Sequence, residues 1–308
     1  RWTQLLEDSE MTNEGSTHAL AFNECNLNQD ERTKFETWLQ TRQPSMGTWT
    51  LHWLNTQEKK DNTTPKGGHG LLIAVNSELM DGGHQIRKLT SKKDKVLTVA
   101  TKIKATGTRV HLVTCYVKPT AKQPPSKLKQ TLALLNNTTT VLMADLNAAH
   151  QRWAQSKDGK TTKKSSAFND MFIQQNHTVL NNEGVSTSVA NGKPKRVIDV
   201  ISTNAKFTKK HCQINEHWVP RQIDVRDPSQ QTKMFHRPLH CSITWPLVLN
   251  KGNRNNQRKK WTGITMKNTA HRKALEKATR QELKKLPPKS STQTEQGAIL
   301  WMEQFSEA

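Results

Sequence analysis

The sequence predicts an α/β chain built as a four-layer sandwich, two mixed β-sheets flanked by helices, followed by a helical C-terminal connector. Three observations carry this reading. Short β-rich runs recur through the first 246 residues, helical stretches fall between them, and after Pro246 the strand signal stops. Strands that outnumber interspersed helices favour two packed sheets with helices outside over a parallel doubly wound sheet. At 308 residues the chain accommodates one sandwich of about 200–250 residues and an appendage.

The strand-like runs are 18–22, 70–75, 96–103, 110–117, 139–144, 197–202 and 241–245, most of them bounded by Gly, Pro, Asn or Lys-rich turn material. A first helix enters through Asn28, Gln29, Asp30 and Glu31, a capping-box-like start, and places Phe35, Trp38 and Leu39 on one face. A second follows Pro124-Pro125-Ser126, with Leu128, Leu132 and Leu135 at helical spacing. A third, over 166–175, offers Phe168, Met171 and Phe172 as its apolar stripe. Residues 1–246 thus read as one domain. Residues 247–308 read as a connector: a Gly/Asn/Arg/Lys linker over 251–260, then helical stretches over 268–286 and 294–305. From 251 onward there are 13 basic and 5 acidic residues.

Lys and Arg number 47 against 26 Asp and Glu, a formal charge of +21. Such a surface suits a polyanion whose condensed counterions are released on binding, so nucleic acid is the first candidate partner and an anionic membrane a weaker one. No run reaches the roughly 18 apolar residues of a membrane-spanning helix, so no membrane partner is expected. Cys25, Cys115, Cys212 and Cys241 show neither CxxC nor zinc-site spacing and are too sparse for a disulfide scaffold, which points to a reducing compartment. The chain opens on Arg1-Trp2-Thr3-Gln4, with no initiator Met and no signal-peptide core, as expected of a piece of a longer polyprotein.

The strongest chemical signal is the run 139–153, a β-branched and apolar stretch that stops at a carboxylate, reading Ala144-Asp145-Leu146-Asn147-Ala148-Ala149-His150. In extended chain Asp145 and Asn147 leave on the same face. A carboxylate at a strand end can take a proton from water, and a neighbouring amide can hold a phosphate oxygen without adding repulsive charge. A strand-end Asx turn is the alternative reading of the same pair.

This run resembles the GDFNAHH-type motif of the endonuclease/exonuclease/phosphatase superfamily, in the apurinic-endonuclease-like version carried by non-LTR (LINE-type) retrotransposon polyproteins. Further segments resemble the family in the same order: 18–24, ending in Glu24; 110–119, with Tyr116 followed by Pro119; 180–187; 196–199, ending in Asp199; then Trp218 and Phe235-His236-Arg237-Pro238-Leu239. The resemblance spans about 2–245. It implies a metal-dependent hydrolase that cuts double-stranded DNA in the nucleus. A 3′-hydroxyl would be left for target-primed reverse transcription, and the connector would lead toward a reverse transcriptase domain. Element RNA would be a further partner through the full polyprotein.

By the same resemblance Glu24 binds Mg²⁺ (or Mn²⁺), Asp145 and Asn147 act on the attacking water, and Tyr116 with an Asp199–His236 pair stabilises charge on the phosphoryl oxygens. Thr187, Arg196 and Arg237 are candidate nucleic-acid contacts. Three departures stand out. Phe235 occupies the place of an aspartate, Arg196 that of a serine, and residues 2–11 resemble the helix that follows the family's first strand. A decayed or truncated copy that binds DNA without cutting it is therefore the alternative reading. A phosphatase acting on lipid or sugar phosphates fits the charge of +21 less well.

Overall fold

The computed structural model describes residues 17–25, 27, 29–41, 48–54, 70–154, 161–181, 185–207, 209–214, 216 and 234–244. The chain divides into two compact units, Arg1–Leu247 and Val248–Ala308, and every described element belongs to the first. The expected helix at 2–11, Trp218 and the connector helices lie outside the described residues.

The first sheet joins β1 (Ala19–Phe22), β2 (Trp49–Leu54) and β3 (Leu71–Asn76) in the order β1-β3-β2, both pairings antiparallel. Central β3, Leu-Leu-Ile-Ala-Val-Asn, is buried at every residue and so reads as a continuous apolar run rather than an alternating one. Its alternation emerges in the packing. Leu72 and Ala74 meet Phe22, Trp49 and Phe35 on one face, while Leu71, Ile73 and Val75 enter the layer between the sheets. Phe35 comes from α1 (Gln29–Thr41), whose first turn carries Asp30 and Glu31, favourable partners for the positive end of the helix dipole.

The second sheet has six strands: β4 (His84–Gln85), β5 (Val96–Lys102), β6 (Arg109–Tyr116), β7 (Thr140–Asp145), β8 (Thr178–Val179) and β11 (Asp199–Thr203), in the order β4-β5-β6-β7-β11-β8. Only β6 and β7 run parallel, so the sheet is mixed. One face sends Leu97, Val99, Leu112, Val141 and Ile201 into the inter-sheet layer. The other sends Val113, Cys115, Leu142, Ala144 and Val200 against α2 (Ser126–Leu134) and α4 (Lys163–Gln174), which contribute Leu128, Leu132, Phe168, Met171 and Phe172. The order helix, sheet, sheet, helices is the expected four-layer sandwich.

Caps explain the helix starts. Thr162 and Ser165 form a reciprocal capping box, which begins α4 three residues before the apolar stripe suggested. At α2 the Ser126 hydroxyl and the Lys127 N–H both donate to Asp94, a carboxylate from the turn before β5. A short α3 (Gln151–Ala154) starts where the His150 ring accepts the Arg152 N–H at 3.1 Å.

Each expected strand is present, with ends shifted by one or two residues, although Trp245 lies outside the described residues. Seven further segments are also strands. Besides β2, β4 and β8 they form two small sheets, one of β9 (Ser188–Ala190), β10 (Lys193–Pro194) and β13 (Phe235–His236), the other pairing β12 (Lys209–Ile214) with β14 (Leu239–Thr244). The added two- and three-residue strands are too short to show a period. Lys209–Ile214 is too polar to do so. Leu239, Cys241 and Ile243 of β14 pack on the inter-sheet cluster.

Candidate active site

Strand register assembles the site. Tyr116 ends β6 opposite Asp145, which ends β7, and Asp145 pairs with Asp199, which begins the antiparallel β11. The three form a row across adjacent strands. Val110, Leu112, Val141 and Ile201 face the inter-sheet layer, and side-chain alternation sends Tyr116, Asp145 and Asp199 to that same face at its rim. Asp145 is 2 % exposed.

His236 arrives from β13, which pairs with β9 through His236 and Ser188. Its Nδ1 lies 3.0 and 2.9 Å from the two Asp199 carboxylate oxygens and 4.0 Å from Asp145 Oδ2. Side chains hold the β11 backbone at Asp199 and Ile201. Its N–H donates to the Thr187 hydroxyl, its carbonyl accepts the Asn181 amide at 2.8 Å, and the Asn181 carbonyl accepts the Ile201 N–H. Asn181, 3 % exposed, thus replaces strand hydrogen bonds where β11 enters the sheet.

Glu24 comes from the other sheet. It follows β1 in a left-handed conformation, φ 58°. The preceding Asn23 is tied by its side-chain carbonyl to the Thr114 hydroxyl of β6 at 3.0 Å, and the Cys25 N–H donates to the Gly70 carbonyl at 2.8 Å. Only glycine allows that approach, since a Cβ on residue 70 would stand 2.4 Å from the Cys25 carbonyl oxygen. So placed, the Glu24 carboxylate accepts a hydrogen bond from Tyr116.

Asn147 reaches Asp145 by a different route from strand alternation. It has φ 46°, and its N–H donates to Asp145 Oδ1 at 2.9 Å, which is the Asx turn that the motif also allowed. Its side-chain amide donates to the Val117 carbonyl and to Asp145 Oδ2. Asn147 therefore fixes the carboxylate of Asp145. Its amide N–H groups are not spare donors for a phosphate.

The three candidate nucleic-acid contacts separate. Thr187 is fully buried, with its hydroxyl committed to the backbone of Ile198 and Asp199, so it positions Asp199 and cannot touch a ligand. Arg196 is exposed and accepts hydrogen bonds at its carbonyl from Ser186 and Ser188. Arg237 is half-buried, and its N–H donates to the Thr187 carbonyl. Phe235 is buried and pairs with Val189, consistent with packing in place of an acid. One site residue carried no sequence signal. Lys95, just before β5, is buried with its ammonium 4.7 Å from the Tyr116 ring centroid and without a hydrogen-bond partner among the described residues. Burial and the nearby Lys118 lower it to about 8 against the pull of Glu24.

Burial and the adjacent Asp199 raise Asp145 to about 7. Burial alone would lower His236, but the charge and hydrogen bond of Asp199 outweigh it and raise the imidazole to about 9. Tyr116 is pushed up by burial and by its bond to Glu24, so it remains a phenol and a donor. Ligand atoms of Asp145, Asp199 and His236 lie within 4.8 Å of one another, close enough for a cation. An imidazole that holds its proton at neutral pH does not ligate, however. The fit is to a hard cation on carboxylate oxygen, which would relieve the repulsion that raises Asp145.

These shifts have a testable sign. A histidine raised from 6.5 to about 9 contributes stability that is fully present below pH 6.5 and lost as pH rises through 9. Asp145, raised from 3.8 to about 7, acts in the same direction at lower pH, because the unfolded chain ionises first. Thermal melts in EDTA should therefore show the parent more stable than His236→Gln at pH 6, with the gap closing above pH 9. A constant gap would contradict the pairing with Asp199.

Residues 110–219 match a family model described as endonuclease-reverse transcriptase. That stretch contains Tyr116, Asp145, Asn147 and Asp199, while Glu24 and His236 lie on either side of it. No curated protein matches the chain in sequence. Among solved structures, the chain is similar to the endonuclease domain of TRAS1, a telomere-specific non-LTR retrotransposon (14% identity, 63% of this chain and 79% of that one, TM-score 0.45). It is also similar to an endonuclease/exonuclease/phosphatase family protein from Leptotrichia buccalis (12%, 76% and 90%, TM-score 0.48). A third is a 3′ phosphatase from Neisseria bound to product DNA hairpin (16%, 79% and 95%, TM-score 0.48).

Proposed function

We propose that this chain, whose residues 110–219 match a family model described as endonuclease-reverse transcriptase, is a divalent-metal-dependent endonuclease of the endonuclease/exonuclease/phosphatase superfamily. It nicks double-stranded DNA and leaves a 3′-hydroxyl. The observation that carries the reading is the row Tyr116, Asp145 and Asp199 with His236 bonded to Asp199. In it a buried acid, a half-buried acid, an imidazolium and a phenol converge on one rim.

Asp145, raised to about 7, is poised to take a proton from an attacking water near neutral pH. His236, cationic through Asp199, donates to phosphoryl oxygens as these gain charge, and Tyr116, a neutral phenol, donates to Glu24 and holds it at the site. The Lys95 ammonium is satisfied when a phosphate arrives. Mg²⁺ or Mn²⁺, held by Glu24, would supply charge neutralisation at a phosphate oxygen. Bond breaking at the sugar 3′ oxygen leaves a 5′-phosphate on one side of the nick and an extendable 3′ end on the other. Residues 247–308 would connect this domain to a reverse transcriptase, and the working place of such a protein is the nucleus.

Phe235 supports a second reading, a DNA-binding copy that no longer cuts. Nicking of supercoiled plasmid with Mg²⁺, absent with EDTA, followed by polymerase extension of the nick, distinguishes the two. Binding without nicking would establish the second. In either case the charge of +21 makes affinity salt-dependent: log K against log salt should fall linearly with a slope of several units, roughly 0.9 per phosphate neutralised. Deleting 251–308 should lower that slope. A salt-independent affinity would remove the electrostatic basis of the reading.

A further inference from the structure

Cys212 and Cys241 lie directly opposite each other on the antiparallel pair β12 and β14. Direct cross-strand partners have Cα atoms about 4.5 or 5.5 Å apart and side chains on the same face, within the roughly 4.4–6.8 Å that a disulfide spans. The Cys241 thiol, 3.9 Å from the Ser242 carbonyl, is held above its ordinary range first by the Cys212 side chain beside it and then by burial, and neither cysteine is in a disulfide. Cys212 is buried and Cys241 half-buried. The remaining cysteines, Cys25 and Cys115, are both buried and sit in different core clusters.

We propose that Cys212 and Cys241 are a redox modification site, a cross-strand dithiol that small-molecule disulfides oxidise to an intramolecular disulfide. The proposal is independent of the nuclease reading. Cys241, the more accessible thiol, loses its proton to solvent slowly, because Cys212 and burial hold it above its ordinary range, and its sulfur attacks one sulfur of the small disulfide. This forms a mixed disulfide and releases one small thiol. Cys212, held beside it, then loses its proton and attacks the Cys241 sulfur, expelling the second small thiol. Two protein thiols are oxidised and one small disulfide is reduced to two thiols.

The new bond closes 213–240 into a loop, and that loop contains His236. Closing a loop of this length restricts the unfolded chain and stabilises the fold, while the β12–β14 pairing is already in place and need not move.

Treatment of the full chain with oxidised glutathione at pH 8, followed by alkylation in denaturant and peptide mass spectrometry, tests this. The expected product lacks two hydrogens, links only the Cys212 and Cys241 peptides, and leaves Cys25 and Cys115 alkylated. Its Tm should rise by about 5 °C and return on reduction. Cys212→Ser should accumulate glutathione on Cys241, and Cys241→Ser should form no adduct at Cys212. Four alkylated cysteines after prolonged oxidation would overturn the proposal. So would a linkage through Cys25 or Cys115, or a Cys212→Ser chain that gains no glutathione.

Discussion

Replacing Asp145 by asparagine is expected to lower the nicking rate by about 10²- to 10⁴-fold, the usual contribution of a positioned general base. The fold should survive. Asparagine has nearly the same volume, and its side-chain oxygen can still accept the Asn147 N–H that holds Asp145 Oδ1 at 2.9 Å. Stability at pH 8 should hold or rise. A carboxyl raised to about 7 by burial and by Asp199 opposes folding once ionised, and the neutral amide removes that repulsion. DNA affinity should likewise hold or increase slightly, because one negative charge facing phosphate is gone. Rate, Tm and affinity measured on one preparation separate this from simple misfolding. Parental nicking by Asp145→Asn would remove Asp145 from the mechanism and with it the central reading of the site.

The part of this site legible in the sequence was the part encoded in strand periodicity. The 139–145 run, with its β-branched and apolar residues ending on Asp145, reads as a buried strand that stops at a polar rim, and the register of β6, β7 and β11 then aligns Tyr116 and Asp199 with it. Periodicity is silent about backbone turns. The approach of Asn147 to Asp145 rests on a left-handed residue and an Asx bond, not on extended chain. It is also silent about distant supports. Asn23 meets Thr114 from 91 residues away, and Lys95 reaches the Tyr116 ring from the start of another strand. Thr187 illustrates the converse error. A polar residue in a matched motif resembles a ligand contact, yet its hydroxyl is consumed in holding the Ile198 and Asp199 amides. Nothing in a linear pattern separates a hydroxyl that faces solvent from one that satisfies buried backbone.

Phe235→Asp, which would restore the acid that the resemblance places beside the histidine, is expected to damage the domain rather than improve the enzyme. Phe235 is 8 % exposed and pairs with Val189, itself 3 % exposed. Removing a buried phenylalanine side chain costs about 3–5 kcal/mol, and a carboxylate at the same place adds the desolvation of a charge without a cationic partner. For a domain of this size, Tm should fall by roughly 6–12 °C or more. Nicking should fall too, because His236 is the next residue on the same two-residue strand and its bond to Asp199 depends on that strand staying paired with β9. Phe235→Leu, which keeps the apolar contact, should lose much less stability and most of the activity should remain. The comparison decides what position 235 does. If Phe235→Asp nicks faster than the parent at unchanged Tm, residue 235 faces the reaction centre and its side chain is an unfilled catalytic position. If stability and rate fall together while Phe235→Leu is spared, the aromatic ring is a packing element that holds His236 against Asp199.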